Sequence, residues 1–201
     1  VYGIKFLGSV GDFIGNEDSP NKDLLKKPLN SVEKDRMLVM FLSFLIIIVF
    51  WGAFEQAGGL MSLYTEQKTN RILSFSLPFI GNEVPAAVFQ SINAFFIIVL
   101  GTAVGSFWHK WKNKGKESSS LFKMAIGVII MAFGFLFMSK AASEILMNGD
   151  VVAEKSAMIW LVLAYLFHTI GELCTSPVAL SFITKLAPVK YASFMMGAYF
   201  A

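Results

Sequence analysis

The chain has 201 residues, of which 55% are hydrophobic and only 15% are charged, and its formal net charge at pH 7 is +3. Soluble domains carry about 25% charged residues, and in this chain the apolar residues are concentrated in a few long stretches. The composition therefore argues against a soluble domain and predicts an all-α, polytopic membrane protein.

The segment before the first apolar stretch is expected to be a cytoplasmic linker over residues 1–36, with the spans in residues 37–201. It mixes charges with glycine and proline and has no apolar core. Ser31, followed by Glu33, predicts a helix entry just before the first span. Because the chain starts at Val1 and stops at Ala201 within an apolar run, we expect a fragment of a longer protein.

Five apolar stretches follow one another and predict the membrane-spanning helices. They run from about Met37 to Leu63, Val84 to Trp108, Leu121 to Met138, Ala157 to Ala187, and from Tyr191 onward. Each complete stretch reaches or approaches the roughly 20 residues that a helix needs to cross a bilayer. None alternates with a period of two residues, so helices rather than membrane-spanning strands are expected.

The basic residues near the spans alternate between the two sides of the membrane, twelve on one side and four on the other. The larger set is Lys22, Lys26, Lys27, Lys34, Arg36, Lys110, Lys112, Lys114, Lys116, Lys123, Lys185 and Lys190. The smaller set is Lys68, Arg71, Lys140 and Lys155. Since cytoplasmic loops carry an excess of Lys and Arg, the larger set is predicted to face the cytoplasm.

Two acidic residues, Glu55 and Glu172, fall within the apolar stretches. A carboxylate at mid-membrane costs at least about 2.5 kcal/mol, so each is expected to meet a partner charge, a proton or a substrate. The spacing places Trp51, Glu55 and the pair Gly58-Gly59 on one helix face, where another helix can approach closely. Two interpretations of Glu55 stay open: a cavity-facing proton or ion-pair site, and a structural salt bridge to a helix outside this chain.

A polar stripe in the fourth span contains His168, Glu172 and Ser176, which occur at intervals of four residues. Pro177 removes one backbone amide, so the helix is expected to bend and to free the carbonyl group of Leu173. Free carbonyl and carboxylate oxygens suit an ammonium ligand. The alternative for Glu172 is a buried ion pair. The alternative for His168 is a helix–helix hydrogen bond or a place at the membrane interface.

The second span adds Gln90 and Asn93, three residues apart. Asn93 suits a hydrogen bond either to a peptide backbone or to a neighbouring helix. Gly101 and Gly105 have the G-x-x-x-G spacing of helix packing contacts.

Several other kinds of site are not expected. No nucleotide-binding loop, catalytic triad or metal-ligand set occurs in the sequence, and the lysine-rich loop is explained as an orientation signal rather than a nucleic-acid surface.

Several of these motifs together resemble the proton-dependent oligopeptide transporter family. They are Phe50-Trp51 through Gly58, Phe89-Gln90-Ser91-Ile92-Asn93, Gly171-Glu172-Leu173, Ser176-Pro177-Val178, Thr184-Lys185-Leu186-Ala187-Pro188 and Met195-Met196-Gly197. The resemblance extends over Lys27 to Ala201, and its specificity lies in the combination. It implies a major facilitator fold in which this chain holds helices seven to eleven, the last one incomplete, within the inner membrane of a bacterium.

The resemblance also implies roles for individual residues. Glu55 matches the acid that pairs with an arginine of the first helix and takes part in proton coupling and gating. Glu172 matches the acid that receives the peptide amino terminus, with Ser176 nearby. Asn93 matches a residue that contacts the peptide backbone, and Trp51 matches an aromatic residue of the pocket.

His168, Gln56 and Gln90 are additional candidates for the site. The chain also departs from the family pattern at several other positions. Ala94 stands where proline is usual, and Tyr199, a candidate substrate-binding residue, stands where tryptophan is common. The pair Gly58-Gly59 replaces Gly-Ser. These departures bear on specificity and leave both acids in place.

The expected function is proton-coupled import of di- and tripeptides by alternating access, with no cofactor besides the coupling proton. The expected partners are the peptide, protons, the lipid bilayer and the amino-terminal six-helix half, and no nucleic acid. The alternatives are a related carrier for nitrate, drugs or another amine, and a membrane scaffold that transports nothing. An enzyme is not expected.

Overall fold

The computed structural model describes residues 28–77, 81–148, 151–188 and 191–200. Most of the expected linker lies outside the described residues, as do Lys22, Lys26, Lys27 and Lys190. The expected boundary between linker and spans at residue 36 therefore stays a prediction.

The described residues form long helices joined by short connections. The helices are α1 Ser31–Phe54, α2 Leu60–Lys68, α3 Ala86–Asn113, α4 Ser120–Ser143, α5 Met158–Leu186 and α6 Ala192–Phe200. Four helical segments among the described residues, Ser31–Lys68, α3, α4 and α5, are long and apolar enough to cross a membrane. They confirm the first four predicted spans, and α6 begins close to the predicted start of the fifth.

Helix α1 begins at Ser31, as its entry motif predicts, and not at the start of the apolar stretch. The Glu33 carboxylate accepts a hydrogen bond from the Asn30 amide at 2.8 Å, and the Lys34 amide donates to the Asn30 carbonyl at 3.0 Å. These bonds satisfy backbone groups that the first turn of a helix leaves without intrahelical partners. The polar residues before the apolar stretch therefore belong to the helix.

The first apolar stretch is not one uninterrupted helix. A 3-10 turn, Glu55–Ala57, follows α1, and α2 starts only after the Gly58-Gly59 pair. Gly59 has φ −98° and ψ −90°, which lie outside the helical region. The regular spacing that would place Glu55 and both glycines on one helix face therefore ends at Phe54.

The described parts of the connections between helices contain three short strand pairs that the sequence analysis did not predict. Strand β1 Thr69–Asn70 pairs in parallel with β6 Ser156–Ala157. The antiparallel pairs are β2 Ile72–Leu77 with β3 Gly81–Glu83, and β4 Leu146–Asn148 with β5 Val151–Glu154. Next to β2, Arg71 forms an ion pair with Glu83 at 2.7 Å and donates to the Val84 carbonyl at 2.7 Å. Both sides of these pairs come from connections predicted to face away from the cytoplasm.

The chain divides into two compact units, residues 1–44 with 182–201, and residues 45–181. The first unit buries Met40, Ile183 and Met195. The second unit has an apolar core of Met61, Phe89, Leu161, Ala164 and Tyr165. All the polar contacts described below lie in the second unit.

Helices α4 and α5 approach each other closely at glycines. A Cβ atom added to Gly127 would lie 2.8 Å from the Gly171 carbonyl oxygen, and one added to Gly171 would lie 2.7 Å from the Gly127 carbonyl oxygen. The predicted packing glycines of α3 are looser, because a Cβ on Gly101 would reach only Leu173 at 4.0 Å and one on Gly105 nothing within 4 Å. Among the described glycines, the closest contacts between helices therefore lie between α4 and α5.

Candidate functional site

A hydrogen-bonded cluster joins α3 to α5 around Glu172. The Asn93 Nδ2 atom donates to Glu172 Oε2 at 3.2 Å, and the Thr169 hydroxyl donates to Asn93 Oδ1 at 2.5 Å. Glu172 and Asn93 are half-buried, whereas Thr169 is fully buried. The contact of Asn93 with a neighbouring helix, one of the two interpretations of this residue, is therefore present.

The two acids of the apolar stretches have different surroundings. Glu172 lies on the uninterrupted part of α5, which continues through Pro177, and it is held by Asn93. Glu55 lies in the 3-10 turn and is exposed, and within the described residues no cation lies at ion-pair distance from it. Glu172 is thus held by a contact between two helices, whereas the described residues supply no cation to the Glu55 carboxylate.

A cavity of about 150 Å³ lies between the 3-10 turn, α3 and α5. Its lining residues are Phe54, Ala57, Gly58, Gln90, Asn93, Tyr165 and His168. The turn that carries Glu55 therefore borders the same cavity as Asn93, which holds Glu172. The lining combines polar side chains with aromatic rings.

Tyr165 ties α5 to the 3-10 turn, because its hydroxyl donates to the Ala57 carbonyl at 3.3 Å. We expect Tyr165→Phe to remove this bond and to lower the free energy of unfolding by about 1 kcal/mol, a usual value for one hydrogen bond. Thermal unfolding of the purified full-length protein would measure the change. Equal stability of Tyr165→Phe and the wild type would mean that this contact does not hold the turn.

His168 is buried, with only 1% of its surface exposed. Its ring lies 4.7 Å from the Phe135 ring, and a Cβ added to Gly134 would meet its Cδ2 and Nε2 atoms. Within the described residues neither ring nitrogen has a hydrogen-bond partner, so the helix–helix hydrogen bond considered for His168 is not seen. The histidine instead packs into the space that Gly134 leaves.

The remaining candidate residues take part in local contacts. Gln56 donates to the Gly52 carbonyl at 3.1 Å, and Gln90 donates to the Ser62 hydroxyl at 3.2 Å. Trp51 is half-buried and packs edge-on against Phe54 at 5.4 Å. Ser176 is half-buried on α5. Tyr199 belongs to the other compact unit, where its ring lies 4.9 Å from that of Phe200.

Two residues of the cluster were missed by the sequence analysis. Thr169 and Tyr165 lie three and seven residues before Glu172, spacings that place all three on one helix face. Threonine and tyrosine are common in membrane helices, so the spacing alone gave no reason to choose them. Thr169 is recognised as part of the cluster only from its contact with Asn93 on α3.

Comparison with known proteins identifies the family. The family model described as PTR2, POT family, matches residues 21–201. The chain belongs to the POT family. This confirms the resemblance found in the motifs, and POT membership together with the four spans establishes a polytopic membrane protein of the major facilitator type.

Curated POT relatives are bacterial transporters. The chain is 36% identical over 168 residues to the peptide transporter YePEPT of Yersinia enterocolitica, a match that covers 84% of this chain and 31% of that protein. It is 30% identical over 175 residues to the di-/tripeptide transporter of Lactococcus lactis subsp. lactis, covering 87% of this chain and 33% of that protein. The chain thus spans about a third of the length of these relatives. Their bacterial origin supports the expected location in the inner membrane.

Solved POT structures have the same fold. A crystal structure of a peptide transporter POT in complex with sulfate matches with a TM-score of 0.72 and 27% identity, over 99% of this chain and 36% of that one. A mutant peptide transporter POT in complex with alafosfalin also matches with a TM-score of 0.72, at 28% identity, over 88% of this chain and 34% of that one. The fold of the chain is therefore that of a POT transporter.

Proposed function

We propose that the full-length protein is a symporter that uses the proton gradient to import di- and tripeptides. The chain described here would supply one wall of the substrate chamber, and the amino-terminal half of the protein would supply the other. The relatives named as peptide and di-/tripeptide transporters support this proposal. So does the cluster around Glu172, which presents a carboxylate inside a membrane helix.

The observation that carries the proposal is the contact between Glu172 and Asn93. A carboxylate within a membrane span is costly unless a partner offsets it, and here the described partner is one neutral amide. One amide leaves most of the acceptor capacity of a carboxylate unused. A peptide ammonium group would donate hydrogen bonds to the remaining lone pairs of the carboxylate. The Asn93 amide would bond to the peptide backbone. Trp51, Ser176 and Tyr199 are proposed to contact the rest of the substrate.

Proton coupling is proposed for Glu55. Its exposed carboxylate lies in the turn that borders the cavity, where an arginine of the amino-terminal half would reach it. Protonation would remove the charge of Glu55 and weaken its ion pair with that arginine. The two halves of the transporter could then move relative to each other and change the side to which the chamber opens. A charge that crosses the membrane gains about 2.3 kcal/mol per 100 mV, enough to drive accumulation.

The proposal is tested with the full-length protein in proteoliposomes under an inward proton gradient. We expect accumulation of dialanine, collapse of accumulation when the gradient is dissipated, and no accumulation of N-acetyl-dialanine, which lacks the ammonium group. Equal uptake of the acetylated peptide would contradict the role of Glu172. Uptake of nitrate or of a simple amine in place of dialanine would favour a related carrier, and the absence of any proton flux would favour a scaffold.

A further inference from the structure

Two acceptor oxygens lie at hydrogen-bond distance from the Thr169 hydroxyl group. Its oxygen lies 2.5 Å from Asn93 Oδ1 and 2.8 Å from the Tyr165 carbonyl oxygen. A hydroxyl group has one proton and donates it to one acceptor at a time, but its oxygen also accepts hydrogen bonds. The Asn93 side chain lies between this hydroxyl and the Glu172 carboxyl group, 3.2 Å from Glu172 Oε2. The Thr169 hydroxyl can therefore donate to the Tyr165 carbonyl oxygen whenever it does not donate to Asn93.

We propose that Thr169 is a positioning residue that lets the Asn93 amide pair with Glu172 in both protonation states of the carboxyl group. The inference rests on the proposed function, in which Glu172 binds the substrate and protons drive transport. With Glu172 ionised, the Asn93 amide nitrogen donates to the carboxylate and its oxygen accepts from Thr169. The structure contains both of these contacts, the amide nitrogen to Glu172 Oε2 and the Thr169 hydroxyl to Asn93 Oδ1.

With Glu172 protonated, the amide turns over by rotation about its last side-chain bond. Its oxygen then accepts from the carboxyl O–H, and its nitrogen donates to the Thr169 oxygen. The Thr169 proton turns to the Tyr165 carbonyl oxygen, which already lies at hydrogen-bond distance. The added proton stays on Glu172, no covalent bond changes, and each polar group keeps a partner.

The Thr169 hydroxyl group matters to the Asn93 amide because residue 169 is buried. Thr169 has 0% of its surface exposed, so without its hydroxyl group the end of the Asn93 amide that faces residue 169 would meet an apolar side chain and not a hydrogen-bond partner. If residue 169 lacked a hydroxyl, one end of the Asn93 amide would lose its partner in either protonation state. The hydroxyl group therefore keeps the Asn93 amide paired at both ends, and next to Glu172, in both protonation states of the carboxyl group.

Among the described residues, no other titratable or charged group of the neighbouring elements bonds to Glu172, although His168 lines the same cavity as Asn93. His168 packs on Gly134 of α4, Cys174 accepts from Trp108 of α3, and the Tyr165 hydroxyl bonds to the 3-10 turn. Lys123 of α4 lies over the Trp108 ring, and Glu55 is exposed. Among the described residues, Asn93 is the side chain that bonds to Glu172.

The test compares Thr169→Val, which keeps the shape without the hydroxyl, with Thr169→Ser, which keeps the hydroxyl. Thr65→Val is the matched control. The buried Thr65 hydroxyl donates to the Met61 carbonyl at 2.6 Å, as the Thr169 hydroxyl does to the Tyr165 carbonyl. Thr65 lies far along the chain from the cluster around Glu172. In the full-length transporter we expect Thr169→Val to lower proton-driven dialanine uptake about tenfold, the size of one lost buried hydrogen bond. Thr169→Ser should keep at least half of the uptake, and Thr65→Val should keep all of it. Equal uptake by Thr169→Val and Thr65→Val would overturn the inference.

A second measurement does not depend on transport. Infrared difference spectra between neutral and acidic pH are recorded on the full-length protein with isotope-labelled asparagine side chains. The carboxyl band of Glu172 is assigned by its loss in Glu172→Gln, and the amide band of Asn93 by its loss in Asn93→Leu. We expect the Asn93 band to shift when Glu172 becomes protonated. An Asn93 band that stays fixed while the Glu172 band appears would overturn the inference.

The two measurements separate this inference from the proposed function. If the wild type accumulates no dialanine, the proposed function is wrong, but the infrared shift still supports or overturns the turning of the amide. If Thr169→Val does not fold, the wild-type spectra alone decide the question.

Discussion

Replacing Glu172 with glutamine is expected to lower proton-driven uptake of dialanine about a hundredfold or more. The substitution keeps the shape of the side chain and removes the charge that would receive the peptide ammonium group. Breaking one partner of a buried charge pair costs about 3–5 kcal/mol, and each 1.4 kcal/mol corresponds to about a factor of ten. Initial rates in proteoliposomes, normalised to the amount of folded transporter, would measure the effect.

The matched control for this substitution is Glu66→Gln. It makes the same chemical change at an exposed position of α2, where no role in the site is proposed. Uptake by Glu66→Gln should equal that of the wild type. Retention of full uptake by Glu172→Gln would remove the basis for the proposed binding of the ammonium group, whatever the family relationship.

The sequence predicts the membrane spans and the two acids because both depend on the cost of placing charge in lipid. Long apolar stretches are recognised without knowledge of their neighbours, and a carboxylate within one of them stands out for the same reason. The four spans and the POT family were therefore predicted correctly. The roles of Glu55, Glu172 and the other site residues stay predictions.

The contacts between helices could not be predicted in the same way. Helical spacing assigns Thr169 and Glu172 to one face of α5, but it does not say which helix that face meets. The contact with Asn93 depends on how α3 and α5 are placed by the whole bundle. The 3-10 turn at Glu55 and the strand pairs of the connections are likewise settled by tertiary packing, in which weak local preferences are overridden.

The glycine contacts are a second example of helix contacts that the sequence does not predict. Gly101 and Gly105 have the spacing of a known packing motif, yet a Cβ on Gly105 would meet nothing within 4 Å in the described chain. Gly127 and Gly171 occur in different spans without a motif between them, and they form the close contact. Spacing within one helix is therefore a poor guide to which glycines a helix pair requires.

Gly171→Ala is expected to destabilise the protein strongly. The added methyl group would lie 2.7 Å from the Gly127 carbonyl oxygen, 3.0 Å from Met131 Cβ and 3.1 Å from Met131 N. Two of these atoms belong to the backbone of α4, so no side-chain rotation relieves the contact, and the helices must move apart. Overpacking of a filled core costs about 1–3 kcal/mol, and we expect the upper end of this range, about 3 kcal/mol.

The measurement is thermal unfolding of the full-length protein purified in detergent, together with the yield of monodisperse protein. Gly105→Ala is the control, since it makes the same substitution within a membrane helix where nothing lies within 4 Å of the added atom. Helix propensity favours alanine over glycine equally in both variants, so the difference between them reports packing alone. Equal stability of the two variants would show that α4 and α5 do not require the glycine at residue 171.

The contact is reciprocal, and this allows a stricter test. A Cβ on Gly127 would lie 2.8 Å from the Gly171 carbonyl oxygen and would also meet the Thr175 hydroxyl. Once one methyl group has separated the helices, the second finds part of the space already open. The loss of stability in the double variant should therefore be smaller than the sum of the two single losses. Because Gly171 is the residue before Glu172, each single variant should also impair dialanine uptake, even though Gly127 lies on a different helix from the acid.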